Sequence, residues 1–264
     1  MPVRLLLLLG VLLCGGLRPA LANDSFAAIG AGGLVLQKSD GVVMESEDLY
    51  LSLRQVKIRY VFFNSTAQDL TTIVAFPVPD IEIYGPDDVN TRFLTESDPM
   101  QFRIAVDGNA VKAQMERKAT SKGVALKYYW TQTFPKRKRL VVEHYYAPAI
   151  GGFFYGEGTA ADANKTYCID PPLQSSLRQL ATKHNGLVPT WELVYILSTG
   201  SHWKGPIRDF RLVIDKEKPE RLLSLCIDGI RKISPTQFEV RKTNFTPQTD
   251  LHIAFFGDAG AAAE

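Results

Sequence analysis

The 264-residue chain is poor in the residues and patterns from which a reaction is usually inferred. It has three cysteines and four histidines, and the histidines show none of the close spacing of a zinc motif. It contains no Gly-x-Ser-x-Gly sequence, phosphate-binding loop or dinucleotide fingerprint. The sequence therefore predicts no catalytic residue, no metal site and no cofactor, and it favours a protein that is not an enzyme.

The first 22 residues predict an export signal. Arg4 supplies a positive charge, residues 5–14 form an apolar core, and residues 20–22 (Ala-Leu-Ala) form the small-x-small site of a signal peptidase. Residues 15–19 interrupt the core before it reaches the about 20 apolar residues that a spanning helix needs. We therefore expect cleavage before Asn23, a periplasmic or secreted protein, and no transmembrane segment after cleavage.

Cleavage would leave a chain without net charge. The 30 Lys and Arg residues include Arg4 and Arg18, and no acidic residue precedes Asp24, so 28 positive side chains remain against 28 negative ones. Proteins that bind nucleic acid carry a positive excess and a basic face. We therefore expect no nucleic-acid partner.

Cleavage would also remove Cys14 and leave Cys168 and Cys226. In an oxidising compartment such a pair is expected to form a disulfide, here closing a loop of 58 residues. Two buried thiols are the alternative. A lipid-modified Cys14 is disfavoured, because a lipid-attachment box has a small residue where this chain has Leu13.

Alternation of apolar and polar residues predicts strands along most of the chain. Three pairs of strands are expected to form hairpins around short polar turns, and one segment is expected to form a helix; these are 34–38 with 42–44, 101–106 with 110–113, 128–134 with 140–146, and the helix 171–184. Residues 56–62 and 70–78 are predicted as a further strand and its return strand. The predicted fold class is all-β, antiparallel and β-sandwich-like, with one short helix.

A segment rich in Gly, Ala and Pro, residues 147–166, predicts a connection between two parts of the chain. We expect a signal peptide, an N-terminal β-sandwich-like domain, a connection with one helix and a C-terminal β-rich domain; their respective bounds are 1–22, 23–150, 151–190 and 191–264. One elaborated sandwich is the alternative.

Two acids and two tryptophans are the candidate binding residues. Alternate residues of a strand share a face, so Glu45 and Glu47 would lie side by side, with Asp48 next to them. Paired carboxylates can serve acid–base or Ca²⁺ chemistry, and Trp130 and Trp203 offer ring faces to a sugar or a peptide. The alternative is that the acids are solvated and the tryptophans pack in the interior.

Several segments together resemble a known family. They are Gly30–Leu34, Met44–Leu49, Tyr60–Asn64, Val74–Pro79 and Trp203–Ile207. This set is similar to the bacterial exported family named domain of unknown function 4424. The resemblance extends from about Gly30 to Phe256; it implies a bacterial, exported protein and transfers no catalytic residue.

The sequence thus favours a non-enzymatic binding or interaction protein of the cell envelope, with an unidentified protein or polysaccharide partner. The alternative is an envelope hydrolase or a Ca²⁺-dependent carbohydrate-binding protein that uses Glu45, Glu47 and Asp48. That alternative predicts that the three acids and the outward aromatic side chains meet on one concave surface.

Overall fold

The alternating segments of the sequence become the strands of three sheets. We describe a computed structural model of the chain over residues 25–30, 33–86 and 88–258. Nearly half of the chain is strand and a small part is helix. The all-β fold class with short helices is therefore confirmed, and the predicted leader lies outside the described residues.

The strands follow one another along the whole described chain, with short helices at three places. The strands are β1 (Ser25–Gly30), β2 (Gly33–Gln37), β3 (Val42–Leu51), β4 (Val56–Asn64), β5 (Leu70–Pro77), β6 (Ile81–Glu82), β7 (Arg103–Val106), β8 (Asn109–Val111), β9 (Gln114–Ala119), β10 (Gly123–Phe134), β11 (Arg139–Tyr146), β12 (Gly151–Tyr155), β13 (Val188–Tyr195), β14 (Ile207–Asp215), β15 (Leu222–Leu225), β16 (Arg231–Lys232), β17 (Gln237–Phe245) and β18 (Leu251–Phe256). The helices are α1 (Arg92–Thr95), α2 (Ala160–Thr166) and α3 (Pro171–Ala181).

The strands pair into a six-stranded, an eight-stranded and a four-stranded sheet. The six-stranded sheet has the order β2-β1-β5-β10-β6, with β9 also pairing β10. The eight-stranded sheet has the order β16-β17-β14-β3-β4-β11-β7-β8, and the four-stranded sheet has the order β12-β13-β18-β15. Among the described strands, every pairing is antiparallel except that of β3 with β14.

Aromatic side chains fill the space between the six-stranded and eight-stranded sheets. Phe134 on β10 meets Phe62 on β4 edge to face at 5.7 Å between ring centroids. Phe76 on β5 meets Tyr146 on β11 at 5.4 Å. All four side chains are buried. The inward positions of both sheets therefore form one core, as the alternation along each strand requires.

The predicted hairpins are mostly wrong, although their strands exist. Of the three predicted hairpins, only that of β7 and β8 forms; these strands pair across a two-residue turn in which Asp107 and Gly108 have positive φ, as a twisted hairpin favours. The turns after β2 and β10 carry the chain from the six-stranded to the eight-stranded sheet, and the turn after β4 carries it back. Sheets packed face to face lie about 10 Å apart, so a short polar loop can join strands that share a core without pairing.

The connection predicted after Tyr146 is more ordered than expected. Its glycines begin β12, an edge strand that pairs β13, and residues 160–166 form α2. The predicted helix at 171–184 is confirmed as α3, which Asp170 caps by accepting a hydrogen bond from the Leu173 backbone at 2.8 Å. Among the described residues, no helix has the length and apolar character needed to cross a membrane.

The parallel pairing of β3 and β14 joins early and late parts of the chain. It aligns Ser46 with Asp209 and Leu51 with Ile214. Strands from both sides of residue 150 therefore share the eight-stranded sheet. The division of the chain into two domains near residue 150 stays a prediction.

The expected disulfide is confirmed between Cys168 and Cys226. Cys168 lies between α2 and α3, and Cys226 directly follows β15 at one edge of the four-stranded sheet. The bond therefore fixes the two helices against this sheet, where Tyr167 and Leu177 pack on Val188 and Phe256.

Replacing both cysteines by alanine (Cys168→Ala with Cys226→Ala) should destabilise the protein. Loss of the 58-residue cross-link frees the unfolded chain, and we expect a free energy of unfolding lower by about 2–4 kcal/mol in urea titrations. The oxidised and reduced wild type serve as the matched pair. Equal urea midpoints for the double alanine variant, the oxidised wild type and the reduced wild type would contradict the stabilising role of the bond.

Candidate functional site

The predicted acids are engaged within the fold and do not lie side by side. Glu45 forms surface ion pairs with Arg139 at 2.5 Å and with Arg208 at 3.1 Å. A β-bulge between Met44 and Ser46 interrupts the alternation of β3 at this point. Because of this bulge, the sequence expectation that Glu45 and Glu47 share an open face is wrong.

The other two acids on β3 have separate surroundings. The carboxyl group of Glu47 is 1 % exposed and accepts a hydrogen bond from the Tyr195 hydroxyl at 3.2 Å. Asp48 pairs with Arg211 at 3.0 Å. Arg211 in turn reaches Glu239 at 2.8 Å, and the arginines around Glu239 lower the pKa of that carboxyl to about 2. The ion pairs of Asp48 and Glu239 with Arg211 therefore link the neighbouring strands β3, β14 and β17.

The two candidate tryptophans are core residues, each 4 % exposed. The Trp203 ring packs on Phe62 at 4.4 Å, and the Trp130 ring meets His144 edge to face at 5.4 Å. The structure does not bring them together with Glu45 and Glu47 on an open surface. A binding role for these four residues stays a prediction, and they do not form one site in the structure.

A cleft of about 800 Å³ lies instead between the segment after β5 and the edge of the four-stranded sheet. None of Glu45, Glu47, Asp48, Trp130 and Trp203 lines it. Its walls come from β5, β6 and the turns around it, the chain between β11 and β12, β13, and β18; the lining residues used below are Asp80, Glu82, Tyr84, Asp88, Gly151, Gly152, Phe153, Trp191, Glu192 and His252.

Two glycines at the start of β12 form the open rim of this cleft. Gly151 pairs with Glu192 and Gly152 with Trp191. Neighbouring residues of a strand point to opposite faces, so the Trp191 and Glu192 side chains leave β13 on opposite sides. Both side chains line the cleft, because the cleft extends past the first residues of β12 to both faces of β13. A Cβ atom on Gly151 or Gly152 would lie 3.5 Å from Glu192 or from the Trp191 ring, an ordinary contact distance.

A carboxylate and an imidazole supply polar groups at this cleft. Glu192 on β13 accepts a hydrogen bond from the Tyr167 hydroxyl and pairs through Oε1 with His252 Nδ1 at 3.0 Å. The hydrogen bond to Glu192 raises the pKa of His252. Burial, and then the charge of Glu192, raises the pKa of Tyr167. Tyr167 neighbours Cys168, so the disulfide also helps to position this group.

Aromatic rings supply the apolar part. Tyr84 is 81 % exposed, and Trp191 and Phe153 are half-buried. Phe153 stacks on Tyr167 at 5.8 Å between ring centroids. The indole N–H of Trp191 is buried and has no acceptor among the described residues. Replacing this residue by Phe therefore costs no hydrogen bond of the described structure.

Acidic side chains predominate among the described residues that line the cleft. They are Asp80, Glu82, Asp88 and Glu192; no described Lys or Arg lines the cleft, and His252 is the lining residue that can carry a positive charge. From outside, Lys122 pairs with Glu82 at 3.0 Å. Asp88 accepts hydrogen bonds from the backbone of Tyr84 at 3.0 Å and Asn90 at 2.8 Å, which shapes the turn. Among the described residues, no cluster of three or more His, Cys, Asp or Glu could hold a metal ion.

The sequence analysis singled out none of Trp191, Glu192 and His252 as site residues. One signal was present. The paired glycines at residues 151–152 lie shortly after the strand predicted to end at residue 146, and glycine in a strand often marks a close approach or an open site. The sequence does not reveal that β13 is their partner, since the two segments are far apart in the chain.

The fold and the cleft define a β-sandwich-like protein with one acidic, aromatic pocket at a sheet edge. The chain belongs to the family described as domain of unknown function (DUF4424), whose model matches residues 22–127 and 123–254. The resemblance found in the sequence is therefore confirmed. A search of curated proteins finds no match.

Solved structures of other proteins are similar to this chain to different degrees. A candidate nutrient-binding protein from Legionella pneumophila is 15 % identical, with a TM-score of 0.52 over 89 % of this chain and 72 % of that chain. Two structures of yeast leukotriene A4 hydrolase are 10 % identical, with TM-scores of 0.40 and 0.39. They match 83 % and 82 % of this chain, which covers 29 % of the hydrolase in each case. At these identities the likeness to the Legionella protein shows the fold alone.

The ion pair at the cleft predicts a distinctive titration. In an NMR titration, His252 should have a pKa above the ordinary 6.5, because protonated His252 is paired with Glu192. The pair stabilises the fold below about pH 6.5, and this contribution is lost as the pH rises through the raised pKa of His252. Glu192→Gln should return the pKa towards 6.5.

His202 and His144 are internal references for this titration. Burial lowers the pKa of His202 and lowers that of His144 to about 3. Neither pKa should change when Glu192 is replaced by Gln. A His252 pKa that Glu192→Gln leaves unchanged would show that the pair does not form in solution.

Proposed function

We propose that the protein binds a small ligand in the cleft between the segment after β5 and the edge strand β12. The observation that carries this proposal is the cleft itself: about 800 Å³, with half-buried and exposed rings beside a hydrogen-bonded Glu192–His252 pair. Ligand sites are usually concave, mostly apolar and about 300–1,000 Å³ in volume, with a few placed polar groups. The proposed role of the fold is thus to hold a binding pocket.

We further propose that binding takes place outside the cytoplasm, at the cell envelope. The Cys168–Cys226 disulfide supports this location, because such bonds persist mainly in oxidising compartments. The sequence of the first 22 residues supports it as well. A partner protein or polysaccharide that carries the ligand group stays compatible with this proposal, as does the nutrient-binding role suggested for the Legionella protein.

The hydrolase or Ca²⁺-dependent alternative receives no support from the described residues. It requires Glu45, Glu47 and Asp48 to meet on one open surface. Glu45 and Asp48 are instead held by arginines, and Glu47 bonds Tyr195 in the interior.

A ligand screen with a blocked cleft tests the proposal. The full chain is screened by thermal shift against amines, amino acids, neutral sugars and carboxylates. We expect at least one class to stabilise it and to change the fluorescence of Trp191, the tryptophan that lines the cleft. Trp191→Phe should abolish the fluorescence change. The thermal shift of this variant then shows separately whether the compound still binds.

Two leucine variants provide the matched control. Gly152→Leu places a side chain at the rim, and we expect the affinity for the ligand to fall by at least roughly tenfold. Gly158→Leu makes the same substitution at an exposed glycine with open space around it, outside the cleft, and should bind as the wild type does. Equal binding by both variants, or no binding by any class, would overturn the proposal.

A further inference from the structure

We propose that the ligand of this cleft is an organic cation, an amine or quaternary ammonium group on a small apolar body. The inference rests on the proposed function and adds the chemical class of the ligand. It is carried by two independent features of the lining, the excess of acidic side chains and the presence of aromatic side chains.

The charge of the lining favours a cation over the other classes of ligand. Four carboxyl side chains line the cleft, on β6 and its flanking turns (Asp80, Glu82 and Asp88) and on β13 (Glu192), and no Lys or Arg does. A carboxylate or phosphate ligand would meet an excess of like charge, which costs binding free energy. A neutral sugar can donate hydroxyl hydrogen bonds to these carboxylates but carries no charge to balance them.

The ring faces add a second preference of the same kind. Tyr84 extends into solvent at the rim, and Trp191 and Phe153 are half-buried in the walls. A cation over such a ring is attracted by its quadrupole, and aromatic pockets recognise quaternary ammonium groups in this way. Rings and carboxylates in one cleft therefore suit a group that is both positively charged and weakly hydrated.

Two protein cations approach the acids and compete with the ligand. Lys122 already pairs with Glu82 from outside the cleft, which leaves Asp80, Asp88 and Glu192 as the acids without a lysine or arginine partner at the lining. His252 pairs with Glu192. A ligand cation must replace the proton of His252 to use Glu192 fully, so binding is measured at pH 8.5, because raising the pH removes that proton.

Matched pairs of probes isolate the charge. Choline is compared with 3,3-dimethylbutan-1-ol, in which carbon replaces the charged nitrogen, and 1,4-diaminobutane is compared with 1,4-butanediol. Calorimetric titration of the full chain should show that at least one cation binds roughly 10-fold more tightly than its neutral partner. The affinity should fall as NaCl is added, because salt screens exposed charges.

Charge-neutralising variants locate the effect. Glu192→Gln keeps the shape of the side chain and removes its charge, and it should weaken cation binding by roughly 10-fold while leaving the neutral partner unchanged. Glu116→Gln removes an acid on β9 that does not line the cleft, and it should have no effect. Circular dichroism melts establish that both variants fold.

The outcomes separate this inference from the function on which it rests. If a sugar, a carboxylate or the neutral partners bind as well as the cations and Gly152→Leu blocks them, the cleft is a ligand site and the cation inference fails. If no class of compound binds, both fail. If the cations bind but Glu192→Gln and Glu116→Gln are alike, the cation does not occupy this cleft.

Discussion

A buried chain of hydrogen bonds joins the four-stranded sheet to the eight-stranded sheet. It runs from the carboxyl of Glu47 on β3 to the hydroxyl of Tyr195 on β13, and from there to the hydroxyl of Tyr60 on β4, each step at 3.2 Å. All three side chains are buried. The loss of a hydrogen bond to a buried carboxyl group costs free energy, so a displacement of Tyr195 is opposed. The position of β13 is therefore set from inside the core.

The cleft depends on this constraint, because β13 carries its central residues. Trp191 and Glu192 precede Tyr195 on the same strand, and their register with Gly151 and Gly152 forms the rim. The disulfide acts from the other side by fixing Cys168, next to the Tyr167 hydroxyl that bonds Glu192. The side chains that line the cleft are thus positioned by buried contacts next to it, an arrangement that lets an acidic cleft remain open at a sheet edge.

The sequence predicted the local structure well and the long-range structure poorly. Periodicity predicted β4, β5 and the helix α3, because alternation and capping are local properties. It placed β10 and β11 in one hairpin, whereas they lie in opposite sheets, since a short polar turn fits both arrangements. Glu47 was predicted as a ligand contact because sequence cannot distinguish an acid that faces solvent from one that bonds a buried tyrosine 148 positions away.

Native-state hydrogen exchange can show whether the buried Glu47–Tyr195–Tyr60 chain makes β13 one cooperative unit with β3 and β4. Core amides of β13, β3 and β4 should exchange with the same free energy of opening, equal to that of global unfolding, since opening β13 alone would remove the Tyr195 hydrogen bond from the buried Glu47 carboxyl. A free energy of opening for β13 several kcal/mol lower than for β3 and β4 would contradict it. That result would instead show the C-terminal part of the chain unfolding as a separate domain.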